Sequence, residues 1–259
     1  QTQWKARRHP ALRPVGNRVE TGPDHVTLIL NFEVEGCSRT EQRISLRADS
    51  DIIELVLDVD KNPIQEPEAF YLCFPLAMEA NWDGHFDTAG VPVELDAQQL
   101  PDVSRDWVTV DSFASISHAD EKHTAALFCP DAPLVMHGDF NFGKRSNSVE
   151  RNRNPLLLAW PFNNYWDTNF PAAQPGNITL RYGFSTGGKL DVPATLQKAR
   201  AFTHSTEIHP ALERPGKTAG RFVELSAKTT CLLEMRPANT IKGIVLTLVN
   251  AGPESEDIE

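Results

Sequence analysis

Val26-Thr27-Leu28-Ile29-Leu30-Asn31-Phe32-Glu33-Val34 is the stretch that decides the fold. Val26, Leu28, Leu30, Phe32 and Val34 fall on one side of an extended chain, and Thr27, Asn31 and Glu33 on the other. That period of two is the mark of a half-buried strand. The pattern continues outward. Glu41 to Arg47 places Ile44 with Leu46, the polar turn Asp49-Ser50-Asp51 follows, and Ile53, Leu55, Leu57 and Val59 then alternate with Glu54, Val56 and Asp58. Two alternating runs across a short polar break predict an antiparallel hairpin. Alternation returns at 107–117, 125–129, 178–184, 222–225, 231–235 and 244–249.

One stretch reads as helix. Asp191 is placed to cap it, Pro193 suits its first turn, and Leu196 with Ala199 or Arg200 follows at helical spacing. A parallel α/β fold needs several such helices between strands, and 19 prolines with 15 glycines favour strands and long loops instead. The expected fold is mostly β: a large antiparallel β-supersandwich with a small terminal β unit and at most one or two short helices. Residues 1–24 are expected as a leader loop or partial strand of a truncated start and 25–186 as the main β-sandwich. Residues 187–215 are a connection with a short helix, 216–250 the small terminal β unit, and 251–259 an acidic disordered tail.

Composition narrows the function. The 259 residues are 40% hydrophobic and 23% charged, enough apolar material for a real core. A net charge of −10 leaves nucleic acid a poor partner, because phosphate binding needs a basic stripe. The short cluster Lys5, Arg7, Arg8 and Arg13 is broken by Pro10 and Pro14 and reads as a solvated loop. No window approaches the ~18 apolar residues of a membrane helix, and Gln1 to Arg8 carries no secretory hydrophobic segment. Cys37, Cys73, Cys129 and Cys231 are widely spaced, without a Cys-x-x-Cys pair. Cys73 and Cys231 sit in apolar runs and are expected as buried free thiols, which fits a reducing cytoplasm.

Two segments read as loops of unusual chemistry. Residues 80–90 hold Trp82, His85 and Asp87 together with Gly84 and Gly90. Residues 160–170 hold Asn163, Asn164, Tyr165, Trp166 and Asp167. Aromatic faces stack on sugar rings while Asn and Asp bond hydroxyls as donor and acceptor, so this mixture suits carbohydrate. The same residues also plug core ends and brace turns. His118-Ala119-Asp120 and His137-Gly138-Asp139 are two His-x-Asp triplets. Neither has the further ligands a metal needs marked nearby, and both read as structural, so no metal is assigned. No nucleophile elbow and no cysteine with a neighbouring histidine is present, so no catalytic residue is assigned.

Several ordered segments, spanning roughly residues 25 to 250, resemble the C-terminal sandwich region of family 38 glycoside hydrolases, of the α-mannosidase type. They are 42–46 with the turn 48–51 and 52–59, Tyr71 with Phe74-Pro75, 106–110 with 115–120 and 124–128, 131–135, 163–170, 222–225 and 243–250. The resemblance implies a galactose-mutarotase-like supersandwich cut from a parent that hydrolyses α-mannosides with retention. In that family zinc and an aspartate nucleophile lie in an N-terminal α/β barrel. The family's metal motif, His-x-Asp or His-x-Asn-Asp followed by a small or apolar residue and Trp, is continued by neither triplet here, so zinc is expected in the missing catalytic domain and no cofactor in this chain. The implied role is non-catalytic: to scaffold the enzyme and line part of the sugar cleft, the chain alone being inactive. Asn163, Asn164, Tyr165, Trp166 and Asp167 are the expected carbohydrate-facing residues, with Trp82, His85 and Asp87 second. Expected partners are an α-mannoside, the N-terminal catalytic domain and a second copy in a homo-oligomer. The rival expectations are a mutarotase-like aldose epimerase, with His85 and Asp87 as acid and base, and a carbohydrate-binding module.

Overall fold

The structure is a computed structural model that describes residues 7–11, 13–140, 151, 153–164, 169, 172–204, 220, 222–240 and 242–258. The chain runs β1 (Gly16–Thr21), β2 (His25–Phe32), β3 (Cys37–Arg47), β4 (Ile53–Lys61), β5 (Ala69–Pro75), β6 (Trp82–Thr88), β7 (Val91–Glu94) and β8 (Val108–Thr109). It continues through β9 (Phe113–His118), β10 (Thr124–Phe128), β11 (Leu134–His137), β12 (Leu156–Asn163), β13 (Gly176–Gly187), α1 (Val192–Thr203), β14 (Thr230–Pro237) and β15 (Ile244–Asn250). Nine strands form one sheet in the order β1-β2-β3-β4-β13-β10-β9-β6-β7, four form a second in the order β5-β12-β11-β8, and β14 pairs with β15. The pairings are antiparallel, as the hairpin patterns predict.

The core lies between the two larger sheets. Leu55, Leu57 and Val59 of β4, Leu180 and Tyr182 of β13 and Leu127 of β10 pack with Val135, Leu157 and Ala159 of the smaller sheet. Phe74 of β5 bridges the layers, its ring 6.0 Å from Phe184 and stacked at 11°. On the other face of the large sheet, Leu196 and Ala199 of α1 pack with Phe113, Ala126, Phe128 and Cys231. Asp191 caps this helix as expected, accepting from the Ala194 N–H at 3.0 Å. The outer face of the small sheet carries Met136, Leu158 and Trp160, with Tyr71 stacked on Trp160 at 5.6 Å.

The core-facing side of β1 to β3 is covered at only one end, where Cys37 and Ile44 of β3 pack on the core and Thr40 is buried. In register, Val19, Leu28 and Ile44 line up with Leu55, and Val26 and Leu46 with Ile53, so all share the core-facing side. Beyond the small sheet that side is open: Val19 is 62% exposed, Val26 44% and Leu46 55%. The opposite side is the closed one. Ile29, 1% exposed, stands in register between Arg18 and Arg43, whose guanidinium groups pair with Glu41 and Asp58.

Other expectations are corrected. Residues 80–90 are not a loop: Trp82–Thr88 is a strand that turns at Ala89 and Gly90 into β7. Both turn residues have positive φ, 50° and 76°, the twist a tight hairpin favours. The first residues of the second segment, 160–163, complete β12. Residues 222–225 form no strand, and Phe222 is 73% exposed. Cys73 is exposed whereas Cys231 is buried; all four cysteines are free. The acidic end is held, not disordered: Glu256 accepts from the N–H groups of Lys228 (2.6 Å) and Thr229 (3.0 Å) and from the Thr229 hydroxyl (2.6 Å).

The inverted burial at β2 is testable by urea denaturation. Ile29→Ser is expected to cost about 2–4 kcal/mol, and Val26→Ser less than about 1 kcal/mol. The reverse ranking would mean that the apolar stripe, not Ile29, is enclosed.

Candidate functional site

Four strand ends meet at one end of the sandwich. β4 ends at Lys61, β5 begins at Ala69, β12 ends at Asn163 and β13 begins at Gly176. Lys61, Glu68, Ala69, Phe70, Phe162, Asn163, Asn164 and Gln174 line a shallow open hollow there, with a cavity volume of about 10 Å³. Its apolar part is the pair Phe70 and Phe162, edge to face with ring centres 5.7 Å apart. The polar part begins with Lys61, whose side chain is only 7% exposed and whose ammonium is paired with the Glu68 carboxylate. Gly36, at φ 79°, lies over this pair: a Cβ there would stand 3.1 Å from Glu68 Oε2 and 3.3 Å from Lys61 Nζ.

Asn164 fixes the hollow's wall. Its Oδ1 accepts from the Glu68 N–H at 2.5 Å, its Nδ2 donates to the Ile64 carbonyl at 2.9 Å, and its own N–H donates to the Glu68 carbonyl at 3.0 Å. It thereby holds the 64–68 loop against β12, and is a positioning residue. Asn163, half-buried, pairs with Ala69 across the strands. Ammonium, carboxylate and amides around two phenyl rings can bond polyol hydroxyls and accept the apolar face of a ring. A complete small-molecule pocket has about 300–1,000 Å³, and the hollow is far smaller, so by itself it encloses no ligand. Glu68 is its single carboxylate among the described lining residues, so no glycosidase pair is assembled there.

The structure thus joins Asn163 and Asn164 to Lys61, Glu68, Phe70 and Gln174, none of which the sequence singled out. Tyr165, Trp166 and Asp167 lie outside the described residues. Trp82, His85 and Asp87 are elsewhere, on β6 of the large sheet. Trp82 is 1% exposed; its indole N–H donates to the Arg153 carbonyl at 2.8 Å and the Arg153 guanidinium covers its ring. Asp87 is fully enclosed, and its carboxylate accepts from Ser112 N–H (2.8 Å), Ser112 hydroxyl (2.6 Å) and Phe113 N–H (2.7 Å). Burial raises its pKa, against those bonds. Ring and carboxylate are both turned inward, which removes Trp82 and Asp87 as sugar-facing groups. His85 is half-buried, across from Ser115 and Glu94, with its Nδ1 enclosed.

Of the two triplets, His137-Gly138-Asp139 is structural. His137 lies in the core beneath the backbone of His85 and Ser115; Gly84 makes room for it, since a Cβ there would stand 3.2 Å from the imidazole. Asp139 accepts from the Phe140 N–H and from Asn154. The other triplet lies at the β9–β10 turn, where His118 and His123 both face Asp120.

No family model matches the sequence, and no curated protein does. Solved structures do. An α-mannosidase from Enterococcus faecalis V583 superposes with a TM-score of 0.64 at 13% identity, over 89% of this chain and 29% of its own. A protein in glycosyl hydrolase family 38 from Enterococcus faecalis superposes with a TM-score of 0.69 at 14% identity, over 94% of this chain and 31% of its own. The chain shares its fold with part of a family 38 glycoside hydrolase. It spans about three-tenths of the length of those two proteins. A galactose mutarotase related enzyme from Lactobacillus acidophilus matches at a TM-score of 0.34 and 12% identity, over 68% of this chain and 72% of its own, too loosely to carry an argument.

Asp87→Ala is expected to lower stability by about 3–5 kcal/mol, because it strands two enclosed N–H groups and a hydroxyl; a loss below about 1 kcal/mol would free Asp87 for another role. His137 supplies a pH test. Burial, assisted by the Arg151 charge, lowers its pKa from 6.5 to about 3, while the His85 and Ser115 carbonyls and Asp96 act the other way. Between those values the unfolded chain holds a proton that the folded chain does not. Stability is therefore full above pH 6.5 and falls as pH drops toward 3, by at most about 1.4 kcal/mol per pH unit. Asp87, raised by burial, has the opposite slope, so the difference between the parent chain and His137→Gln isolates the histidine. Parallel curves for the two would place the proton elsewhere.

Proposed function

We propose that this chain is the non-catalytic, C-terminal sandwich portion of a glycoside hydrolase acting on α-mannosides, where it scaffolds the enzyme and lines part of the sugar cleft. The observation that carries the proposal is the shared fold: nine-tenths of this chain superposes on three-tenths of an α-mannosidase and of a family 38 protein. The open core-facing side of β1 to β3 supports an N-terminal catalytic domain as partner, since Val19, Val26 and Leu46 form an apolar surface that a packed domain would cover. The family's zinc and nucleophile belong to that domain. His137 is sealed in this chain's core and neither triplet continues the family motif, so no step of hydrolysis is assigned to residues here.

In this proposal Lys61, Glu68 and Asn163 bond hydroxyls at the cleft margin, Phe70 offers an apolar face with the buried Phe162 packed behind it, and Asn164 holds the wall. Tyr165, Trp166 and Asp167, which follow Asn164 in the sequence, belong to the same proposal. An epimerase resting on His85 and Asp87 has less support, because the Asp87 carboxylate is already spent on Ser112 and Phe113. The four free thiols support a cytoplasmic setting, and no described helix is long and apolar enough to cross a membrane.

The purified chain, given an aryl α-mannoside with and without zinc, is expected to show no turnover; metal-dependent turnover would overturn the proposal. Catalysed relaxation of a fresh aldose's optical rotation would favour the epimerase instead. In the whole enzyme, Asn163→Ala is expected to raise KM by about three- to tenfold, one hydroxyl contact's worth, with the fold intact. Unchanged kinetics would remove Asn163 from the cleft.

A further inference from the structure

The hairpin between β9 and β10 brings together three side chains that no part of the mannosidase proposal uses. His118 Nδ1 lies 3.0 Å from Asp120 Oδ1, and His123 Nδ1 lies 3.2 Å from Asp120 Oδ2. One ligand atom from each residue lies within 4.8 Å of the other two. The sequence marks only the His-x-Asp half; His123 joins because the turn returns the chain over itself.

The backbone holds this arrangement. The His118 N–H donates to the His123 carbonyl at 2.9 Å, and the Glu121 N–H to the His118 carbonyl at 3.0 Å. The Ala119 N–H donates to the Asn81 carbonyl at 3.0 Å, tying the turn to the neighbouring loop. Glu121 takes the positive φ, 56°, that such a turn needs. The Lys122 N–H donates to Asp120 Oδ1 at 2.8 Å, which orients the carboxylate toward the two rings.

The Asp120 N–H also approaches His118 Nδ1, at 3.2 Å. As a donor it requires a lone pair on Nδ1 and puts the ring proton on Nε2. That Nε2 is enclosed and lies 4.0 Å from Glu79 Oε2. At that distance, on a side chain 88% exposed, Glu79 is a charged neighbour and not a hydrogen-bond partner. A bound ion would take the Nδ1 lone pair from the Asp120 N–H, with Asp120 Oδ1, 3.0 Å from Nδ1, as the neighbouring ligand atom.

We propose that His118, Asp120 and His123 form a binding site for one divalent transition-metal ion, with zinc the best match. Two imidazole nitrogens and one carboxylate suit zinc over magnesium or calcium, which prefer all-oxygen shells. Three protein ligands leave a position for water, as in an open tetrahedral site. The site is remote from the sugar-facing hollow. β13 pairs with Lys61 at Gly176 and with Thr124 at Gly187, so the two lie at opposite ends of a strand about 36 Å long. Its effect is therefore on the hairpin: the ion closes the turn and fixes it beside the 79–81 loop.

Zinc titrated calorimetrically into the chelator-treated 259-residue chain is expected to bind with one-to-one stoichiometry and raise the melting temperature. His123→Ala is the first variant, because that side chain is 67% exposed and its loss leaves packing intact. Asp120→Asn is the second, keeping the acceptor for the Lys122 N–H. Each is expected to weaken zinc binding by at least about tenfold, and Co2+ loaded into the parent chain is expected to give a visible absorption that both variants lose. His25→Ala, which removes an exposed histidine paired with Asp24, is expected to leave the affinity unchanged. Zinc affinity equal in all four proteins, or no one-to-one binding in the parent chain, would overturn the proposal and leave the cluster as a hydrogen-bonded turn.

Discussion

The packing of a four-stranded sheet on the middle of a nine-stranded one is the constraint from which the other features follow. Phe74 meets Tyr182 and Phe184 across the gap, and β4, β13 and β10 lose their solvent on that side. Nine strands cannot be covered by four, so the large sheet overhangs. At the overhang Val19, Val26 and Leu46 meet solvent, while on the charged side Ile29 is buried beside the ion pairs of Arg18 and Arg43 with Glu41. A sheet that is apolar on its open side is incomplete as a surface, and it is here that a further domain has most to gain by packing.

That same mismatch shows where sequence patterns stop. Alternation located β2, β3, β4 and β13 because it reports which side chains share a side. It does not report which side is covered, since coverage depends on how far the other sheet extends. In β4 the two questions have one answer, and Leu55, Leu57 and Val59 are buried as the pattern implies. In β2 they diverge, and Ile29 is enclosed while Val26 is open. β6 escaped for a different reason: Asp83, Gly84 and Asp87 are poor strand formers. Gly84 is needed for the close approach of His137 and Asp87 for the Ser112–Phe113 backbone, so the residues that hide the strand are those that fasten it to its neighbours.

The site was legible in part for similar reasons. Asn163 and Asn164 drew notice as polar residues beside aromatics, but Lys61 and Glu68 stand about a hundred positions earlier and look like ordinary strand-end charges. Only the sheet order, which sets β4 beside β13 and β5 beside β12, delivers them to one place. The hairpin cluster was half visible. His118 and Asp120 stood out as a pair, whereas His123 has no meaning until the β9–β10 register folds it back.

Lys61 and Glu68 bear on whether the hollow is more than a gap between strand ends. Taking the Lys61 charge largely out of water is costly, and the part-exposed Glu68 carboxylate offsets that cost only in part. The strand ends are already joined by Asn164, through three hydrogen bonds to the 64–68 loop, and by the Phe70–Phe162 contact. The ion pair is thus superfluous to closure, yet Gly36 leaves open the space it occupies. A fixed ammonium and carboxylate beside an apolar floor are of use to a polyol, which needs a donor and an acceptor at set positions.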